Sequence, residues 1–278
     1  MERLKAGELL VRNPMNPRMV SQIRLLPDLI GCIVFWTKTP EPFMPYLDKM
    51  ESLGFNRYYF HITLTPYGKD MEPNIPPKDA ILDAFARLSQ RIGTERVIWR
   101  YDPIILNDSY SIDYHLDQFQ KYSETLSNYT TKCVMSFVDQ YSYLSSDFEK
   151  HGIGELQIES IEKLIAGMSA IANSKSMTLA SCFEAIDLEK YGIIRNRCID
   201  GALIQRLFGV TTALNKDPAQ RKGCLCTASR DIGAYNTCGH GCIYCYARRG
   251  KSLGKNQDMA LPLLGPPLDG TERIIAAR

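Results

Sequence analysis

Apolar runs and amphipathic segments alternate along the first part of the chain. Residues 30–36 form one continuous apolar run, which is typical of a strand buried on both faces. Residues 41–54 follow with apolar positions at helical spacing, closed by Gly54. The same patterns predict strands at 30–36, 58–64, 97–101, 133–138, 177–181 and 193–198, and helices at 41–54, 77–92, 112–128 and 158–172.

This alternation predicts an α/β fold with a parallel sheet covered by helices. Repeated strand–helix units favour an incomplete (β/α) barrel over residues 1–198. A doubly wound open sheet is the alternative, because a sequence pattern does not show closure. Residues 199–278 break the alternation and are predicted to form a C-terminal cysteine-rich appendage. Its LPLLGPPLDG segment, residues 261–270, is expected to pack onto the surface as an irregular tail.

The composition of the chain is that of a protein with a buried core and no membrane span. The chain has 278 residues, of which 45% are hydrophobic, so it can bury a substantial core. It contains no apolar run long enough to span a bilayer, and its N-terminus lacks the apolar centre of a signal peptide. Without an export signal, its nine cysteines are better interpreted as thiols and metal ligands than as disulfides. We therefore expect a soluble cytoplasmic protein with no membrane partner.

Three cysteines near the C-terminus are spaced to bind one metal centre. Cys238, Cys242 and Cys245 form a C-x3-C-x2-C motif, with His240 inside the loop and Tyr244 before the last cysteine. So compact a set of thiolates favours an iron–sulfur cluster, whereas zinc, the alternative, commonly takes four ligands as two separated pairs. Tyr244 and His240 are expected beside the cofactor, with His240 tuning it through a hydrogen bond.

The chain resembles a prokaryotic family classed as a domain of unknown function, whose members carry this cysteine cluster near the C-terminus. The matching segments are LVRNPMNP (10–17), IVFWTKTP (33–40), VIWRYDPI (97–104), KDPAQR (216–221) and DIGAYNTCGHGCIYCYA (231–247). Relatives usually have a further strand and a basic segment before this point. The resemblance thus implies that the chain is truncated at its N-terminus or that its start is miscalled.

The cysteine triplet is similar to the motif of radical S-adenosylmethionine (SAM) enzymes, and the YCYA segment resembles that of spore photoproduct lyase. The resemblance implies a radical-SAM-like barrel and a [4Fe–4S] cluster with SAM on its open iron. It also implies an electron donor, and cleavage of SAM to a 5′-deoxyadenosyl radical that acts on an unknown substrate. The alternative function is a non-catalytic metal-binding module, with zinc or an iron–sulfur cluster, that serves as a redox sensor or scaffold.

Polar residues at the ends of the apolar strands are the candidates for catalysis. In parallel barrels these ends meet at the active site, and here they carry Lys38, Arg100, Asp102 and Glu184. We expect these four side chains to line a space that faces the cysteine loop. Arg100 is placed to hold a carboxylate or phosphate, so Arg100→Ala is expected to weaken ligand binding. The alternative is that Arg100 and Asp102 pair with their neighbours.

The remaining cysteines suggest a second metal site. Cys182 and Cys198 end the last two predicted strands, and Cys224 and Cys226 form a C-x-C pair before the triplet. If the strands are neighbours, four thiolates surround one point, enough for a zinc ion or a second [4Fe–4S] cluster. The alternative is that all four are buried free thiols.

Four further residues are expected to be structural. Cys32 and Cys133 lie inside apolar strands and His61 within a third, so all three are predicted to be core residues. His115 is predicted on the exposed face of its helix.

Nucleic acid receives little support as a partner. The formal net charge is only +2, and the basic run Arg248, Arg249 and Lys251 has no evident aromatic stacking platform around it. Such a run is usually a solvated face.

Overall fold

The computed structural model of the chain describes residues 1–182, 186–211, 215–218, 220–221, 223–249 and 261–277. Its elements in chain order are α1 (Glu2–Ala6), β1 (Glu8–Arg12), β2 (Met19–Arg24), β3 (Ile33–Thr37), α2 (Leu47–Ser52), β4 (Tyr58–Thr63), α3 (Lys78–Ile92), β5 (Val97–Ile104), α4 (Ile112–Leu126), β6 (Lys132–Phe137), α5 (Ser145–Lys150), α6 (Ile158–Ser174), β7 (Thr178–Ser181), β8 (Ile194–Arg195), α7 (Gly201–Phe208) and β9 (Arg273–Ala276). The predicted alternation of strand and helix is confirmed.

The central sheet has six parallel strands that lie side by side in the order β3, β4, β5, β6, β7, β8. A doubly wound sheet reverses its strand order at a switch point, and this order has no reversal, so that alternative is wrong. Within the described residues β3 and β8 are the edges of the sheet. The sheet is therefore open there, and closure into a barrel is not observed.

The two faces of the central sheet have different coverings. Crossovers that are all right-handed and run in one direction place their helices on one face. On that face Phe60 and Trp99 belong to the main core, and Trp99 stacks on Phe119 of α4 with ring centroids 4.9 Å apart. The opposite face carries a smaller apolar cluster that includes Tyr59 and Ile204 of α7. The carboxyl half of this second face is left for polar side chains.

His115 is buried, so its predicted exposure is wrong. The buried stripe of α4 contains His115, Phe119, Tyr122 and Leu126, which is one helical face when counted from residue 115. The two ring nitrogens of His115 lie 2.8 Å from the Tyr101 hydroxyl and 2.8 Å from the Ile105 carbonyl oxygen. Burial lowers the pKa of His115 to about 4, which keeps the imidazole neutral at pH 7.

Two of the other three structural predictions hold. Cys133 is fully buried in β6 and His61 in β4. Cys32 is only half-buried and lies just before β3 rather than inside it. Its predicted place in the strand is therefore wrong by one residue.

A second, three-stranded sheet joins the two ends of the chain. Strand β1 pairs antiparallel with β2, and β2 pairs parallel with β9. The predicted irregular tail at 261–270 packs against this sheet, where the Leu10 amide donates to the Pro262 carbonyl at 2.8 Å. Strands β2 and β9 were not predicted, because both are short and only partly buried and their partners are remote in sequence.

The helices of the described ranges are too short, or too polar, to cross a lipid bilayer.

Candidate functional site

A cavity of about 2220 Å³ lies against the second face of the central sheet, at the carboxyl ends of its strands. The predicted site residues that line it are Lys38, Arg100, Asp102, Cys182, Cys198, Cys224, Cys226, Cys242, Tyr244 and Cys245. Glu184 lies outside the described residues. The structure thus brings the strand ends and two cysteines of the triplet to one space, while their roles stay predictions.

The cysteine loop is docked onto the segment that follows β4. The Ile243 amide donates to the Met71 carbonyl at 3.0 Å, and the Asn74 amide donates to the His240 carbonyl at 3.2 Å. The Asn74 side chain donates to the Gly239 carbonyl at 3.0 Å. These backbone contacts place the loop over the carboxyl end of β4.

Tyr244 anchors the loop in the core. Its ring packs edge-on against Tyr67, with centroids 5.6 Å apart, and its hydroxyl donates to Glu72. Only 7% of Tyr244 is exposed. The aromatic residue that we predicted beside a cofactor therefore also holds the loop in place.

Glu72 is the buried charge at the centre of this contact. It accepts hydrogen bonds from Lys38 at 2.9 Å, from Thr65 at 2.6 Å, and from Lys78 and Tyr244. Burial alone would raise the pKa of Glu72, but the two lysines outweigh it and lower the pKa to about 2. The pKa of Lys78 is also lowered, because burial there exceeds the attraction of Glu72. The contact therefore stabilises the charged form of Glu72, whereas it does not offset the cost of burying the charged form of Lys78.

The three thiols of the triplet differ in their exposure to solvent. Cys242 is buried, Cys245 is half-buried and Cys238 is exposed. Burial raises the pKa of Cys242 to about 12, although Lys38 opposes the shift. His240 contacts Thr39 through Nε2 at 3.3 Å, and burial lowers its pKa. Among the described residues, no three His, Cys, Asp or Glu side chains are placed closely enough to hold a metal ion together.

Arg100 and Asp102 pair with each other, as the alternative interpretation of these residues predicted. Nε of Arg100 donates to Asp102 Oδ2 at 3.0 Å, Nη2 donates to the same oxygen, and Ser136 donates to the other oxygen. Burial opposes the charge of Arg100, but Asp102 outweighs it and raises the pKa of Arg100. Arg100 is therefore a fixed cation in the cavity wall.

Cysteines of the predicted second site meet beside Arg100. Cys182 Sγ lies 2.8 Å from Cys198 Sγ, and Nη1 of Arg100 lies 3.3 Å from the same Cys198 sulfur. The pKa of Cys198 is lowered, because it contacts the thiols of Cys182 and Cys226 and lies beside the positive charge of Arg100.

A sequence model for the family described as Domain of unknown function (DUF1848) matches residues 1–247. The chain belongs to the DUF1848 family. This confirms the family predicted from the matching segments, and the match includes all three cysteines of the triplet. Neither a curated protein nor a solved structure matches the chain. Membership in DUF1848 supplies no substrate or cofactor, so both are argued below from the site.

The surroundings of Arg249 in this DUF1848 chain differ from the sequence prediction. Its guanidinium lies 4.9 Å from the ring centroid of Tyr143 and 5.1 Å from that of Tyr235. Tyr141 and Tyr246 extend the same group of rings. The expectation that no aromatic platform lies around the basic run is therefore wrong at Arg249, while Lys251 lies outside the described residues. Tyr141 and Tyr143 come from a segment remote from the basic run, so their grouping with Tyr235 and Tyr246 was not visible in the sequence.

The docked loop of the DUF1848 chain depends on one glycine. Gly241 has φ +69°, and an added Cβ would lie 3.4 Å from atoms of both Asn74 and Pro73. Gly241→Ala is expected to lower the free energy of unfolding by about 1–2 kcal/mol, because side chains disfavour the left-handed region. It should also speed the alkylation of Cys242 by loosening the loop. Chemical denaturation and a timed alkylation assay measure the two effects.

Gly152→Ala is the matched control for this prediction. Gly152 has φ +62°, and nothing lies within 4 Å of its added Cβ. Gly152→Ala therefore carries a similar backbone cost with no neighbour for the added methyl group. Equal alkylation rates of Cys242 in the two variants would contradict a role of Gly241 in docking the loop.

Proposed function

We propose that this protein is a radical-SAM-like iron–sulfur protein that binds a [4Fe–4S] cluster through Cys238, Cys242 and Cys245. The observation that carries the proposal is the docking of the cysteine loop at the strand ends, where Cys242 and Cys245 line one cavity with Lys38 and Arg100. When bound, the cluster and SAM supply a one-electron cleavage of the sulfonium that generates a 5′-deoxyadenosyl radical.

The donor set fits such a cluster. Three thiols in one loop suit three irons of a four-iron cluster and leave the fourth iron for a ligand that is not protein. Each thiolate of a cluster binds a different iron, so its sulfurs stand farther apart than the ligands of a single ion. All three are free thiols, and Cys242 and Cys245 line the cavity.

The fold supports the same proposal. Six parallel strands in unbroken order, with α3, α4 and α6 packed on one face, match most of a (β/α) barrel that has been opened at one side. We propose that the cavity is the interior of this incomplete barrel. The loop then reaches the strand ends from the C-terminal part of the chain rather than from the first strand.

The residues of the chain have three tasks in this function. Tyr244 and Glu72 hold the loop in position. Lys38 uses two of its three N–H donors on Glu72 and Thr65, and the third is available to a ligand carboxylate such as that of SAM. The cavity exceeds the volume of about 300–1,000 Å³ that is usual for a small-molecule site, which leaves room for a substrate beside SAM.

Anaerobic reconstitution tests the proposal. The full chain is loaded with iron and sulfide, reduced with dithionite in place of the protein electron donor, and incubated with SAM. We expect a brown protein that releases 5′-deoxyadenosine and methionine. Cys242→Ser should abolish the products and lower the bound iron and acid-labile sulfide by the content of one cluster, whereas Cys133→Ser, which alters a buried cysteine of the core, should retain that content.

Two outcomes favour the non-catalytic alternative. A brown protein that binds SAM without cleaving it would retire the enzyme and leave a redox sensor or scaffold. A colourless protein that holds zinc on the triplet would retire the cluster as well.

A further inference from the structure

The cysteines outside the triplet are gathered by backbone pairing. Strands β7 and β8 are neighbours, with Ser181 opposite Arg195, so the chain that leaves each strand emerges at the same edge of the sheet. Cys182 directly follows β7 and Cys198 comes three residues after β8. Their sulfurs lie 2.8 Å apart. The sheet itself therefore holds this pair together.

A separate turn brings the C-x-C pair to the same place. Lys216 and Thr227 form an antiparallel bridge, and the Thr227 amide donates to the Ile199 carbonyl at 3.0 Å. As a result Cys226 Sγ accepts from the Cys198 amide at 3.2 Å, and Cys224 Sγ accepts from the Cys226 amide at 3.5 Å. Three segments of the chain thus bring these cysteines to the wall of one cavity, with Cys224 joined to the others through Cys226.

Polar N–H groups surround these sulfurs. The Asn196 side chain lies 3.0 Å from Cys182 Sγ and 3.3 Å from Cys198 Sγ, and the Arg100 guanidinium lies 3.3 Å from Cys198 Sγ. Thiols that serve only as small apolar residues need no such donors. Hydrogen bonds to sulfur and a nearby cation are the usual support of metal-bound thiolates.

We propose that Cys182, Cys198, Cys224 and Cys226 bind a metal as a four-thiolate centre, separate from the triplet and independent of the proposed SAM chemistry. Four sulfurs at about 2.3 Å from a zinc ion form a tetrahedron with edges of about 3.8 Å. Cys182 and Cys198 stand closer than that, so binding moves their sulfurs apart by about 1 Å. Metal binding therefore requires a local rearrangement of this pair.

The charge of Arg100 suits this centre. Zinc with four thiolates carries a net charge of −2, and a cluster with four thiolates is also negative. Arg100 lies against one of the ligands as a fixed cation. Its positive charge stabilises a bound anion of this kind in the partly buried cavity wall.

A disulfide between Cys182 and Cys198 is the competing explanation of their short separation. It accounts for two sulfurs, but it gives no reason for Cys226 and Cys224 to join them or for the donors of Asn196 and Arg100. The two explanations differ in metal content and in chain mass.

The test uses the full chain with Cys238, Cys242 and Cys245 all replaced by alanine, purified anaerobically from iron-supplemented and from zinc-supplemented cultures. We expect about one zinc ion per chain, or iron with matching acid-labile sulfide, and either result supports the four-thiolate centre while identifying its metal. Adding Cys198→Ala should remove the metal. Adding Cys32→Ala instead, the matched control, should leave it.

A metal-free protein from both cultures would overturn the proposal, as would a mass lower by two hydrogens that shows a Cys182–Cys198 disulfide. Because Cys198→Ala risks misfolding, Cys224→Ser on the partly exposed turn is a second variant. Cobalt(II) added to the apo triple variant should give sulfur-to-cobalt charge-transfer absorption, which Cys224→Ser should weaken. Unchanged absorption in Cys224→Ser would remove that residue from the centre and overturn the four-thiolate assignment.

Discussion

Replacing Glu72 by glutamine is expected to lower the free energy of unfolding by about 3–5 kcal/mol, the usual cost of removing one partner from a buried ion pair. Glu72 is 1% exposed and faces both Lys38 and Lys78. Glutamine keeps the shape and one acceptor oxygen but leaves two poorly solvated ammonium groups without a counter-charge. Chemical denaturation under reducing conditions measures the loss.

The dependence of stability on pH gives an independent check of Glu72. Its pKa is lowered from the ordinary 4.5 to about 2 in the folded chain. A lowered pKa stabilises the fold above the unfolded value, and that stability disappears as the pH falls from about 4.5 to about 2. The difference corresponds to about 3 kcal/mol. Glu72→Gln should lack this part of the acid dependence.

Glu95 provides the matched control. It forms an ion pair with Arg206 in which both side chains are about half exposed, so Glu95→Gln is expected to change stability by no more than about 1 kcal/mol. If the two variants lost equal stability, the buried network around Glu72 would not be holding the loop.

Replacing Arg100 by methionine is expected to cost about 3–5 kcal/mol of unfolding free energy, because it leaves the Asp102 carboxylate in the cavity wall without its cation. The sequence predicted a loss of ligand binding instead. The structure shows that two N–H groups of Arg100 are directed at Asp102 and one at Cys198, so we expect stability to fall first. Chemical denaturation and the affinity for SAM separate the two effects.

A double-mutant cycle measures how much of this loss of stability comes from the interaction between Arg100 and Asp102. Arg100→Met combined with Asp102→Asn should be more stable than the sum of the single variants predicts, since neither charge is then left alone. Strict additivity would show that the two side chains act independently.

The hydrophobic pattern predicted the central sheet well. Most of its strands are largely apolar and are followed by amphipathic helices, so local periodicity carries the information. Strands β2 and β9 carry no such signal, because their pairing depends on residues some 250 positions apart. Closure and curvature likewise depend on where the edge strands β3 and β8 lie, which no local pattern records.

For the site too, residues with a local sequence signal were predicted, and those that depend on long-range contacts were missed. The strand-end rule found Lys38, Arg100 and Asp102, and the strand spacing placed Cys182 next to Cys198. Glu72 was missed because it stands in a loop with no periodicity, and its partner Tyr244 lies 172 residues away. No feature of the sequence around Glu72 distinguishes it from a solvated carboxylate.

The anchoring of Tyr244 in the core has a consequence for biosynthesis. Glu72 and both of its lysines leave the ribosome early, whereas the tyrosine that covers them is made 172 residues after Glu72. Until that tyrosine emerges, Glu72 and its lysines lack their cover beside Tyr67. The interior is completed here only by the segment that carries the cysteine triplet, so this loop docks only after that segment has been made.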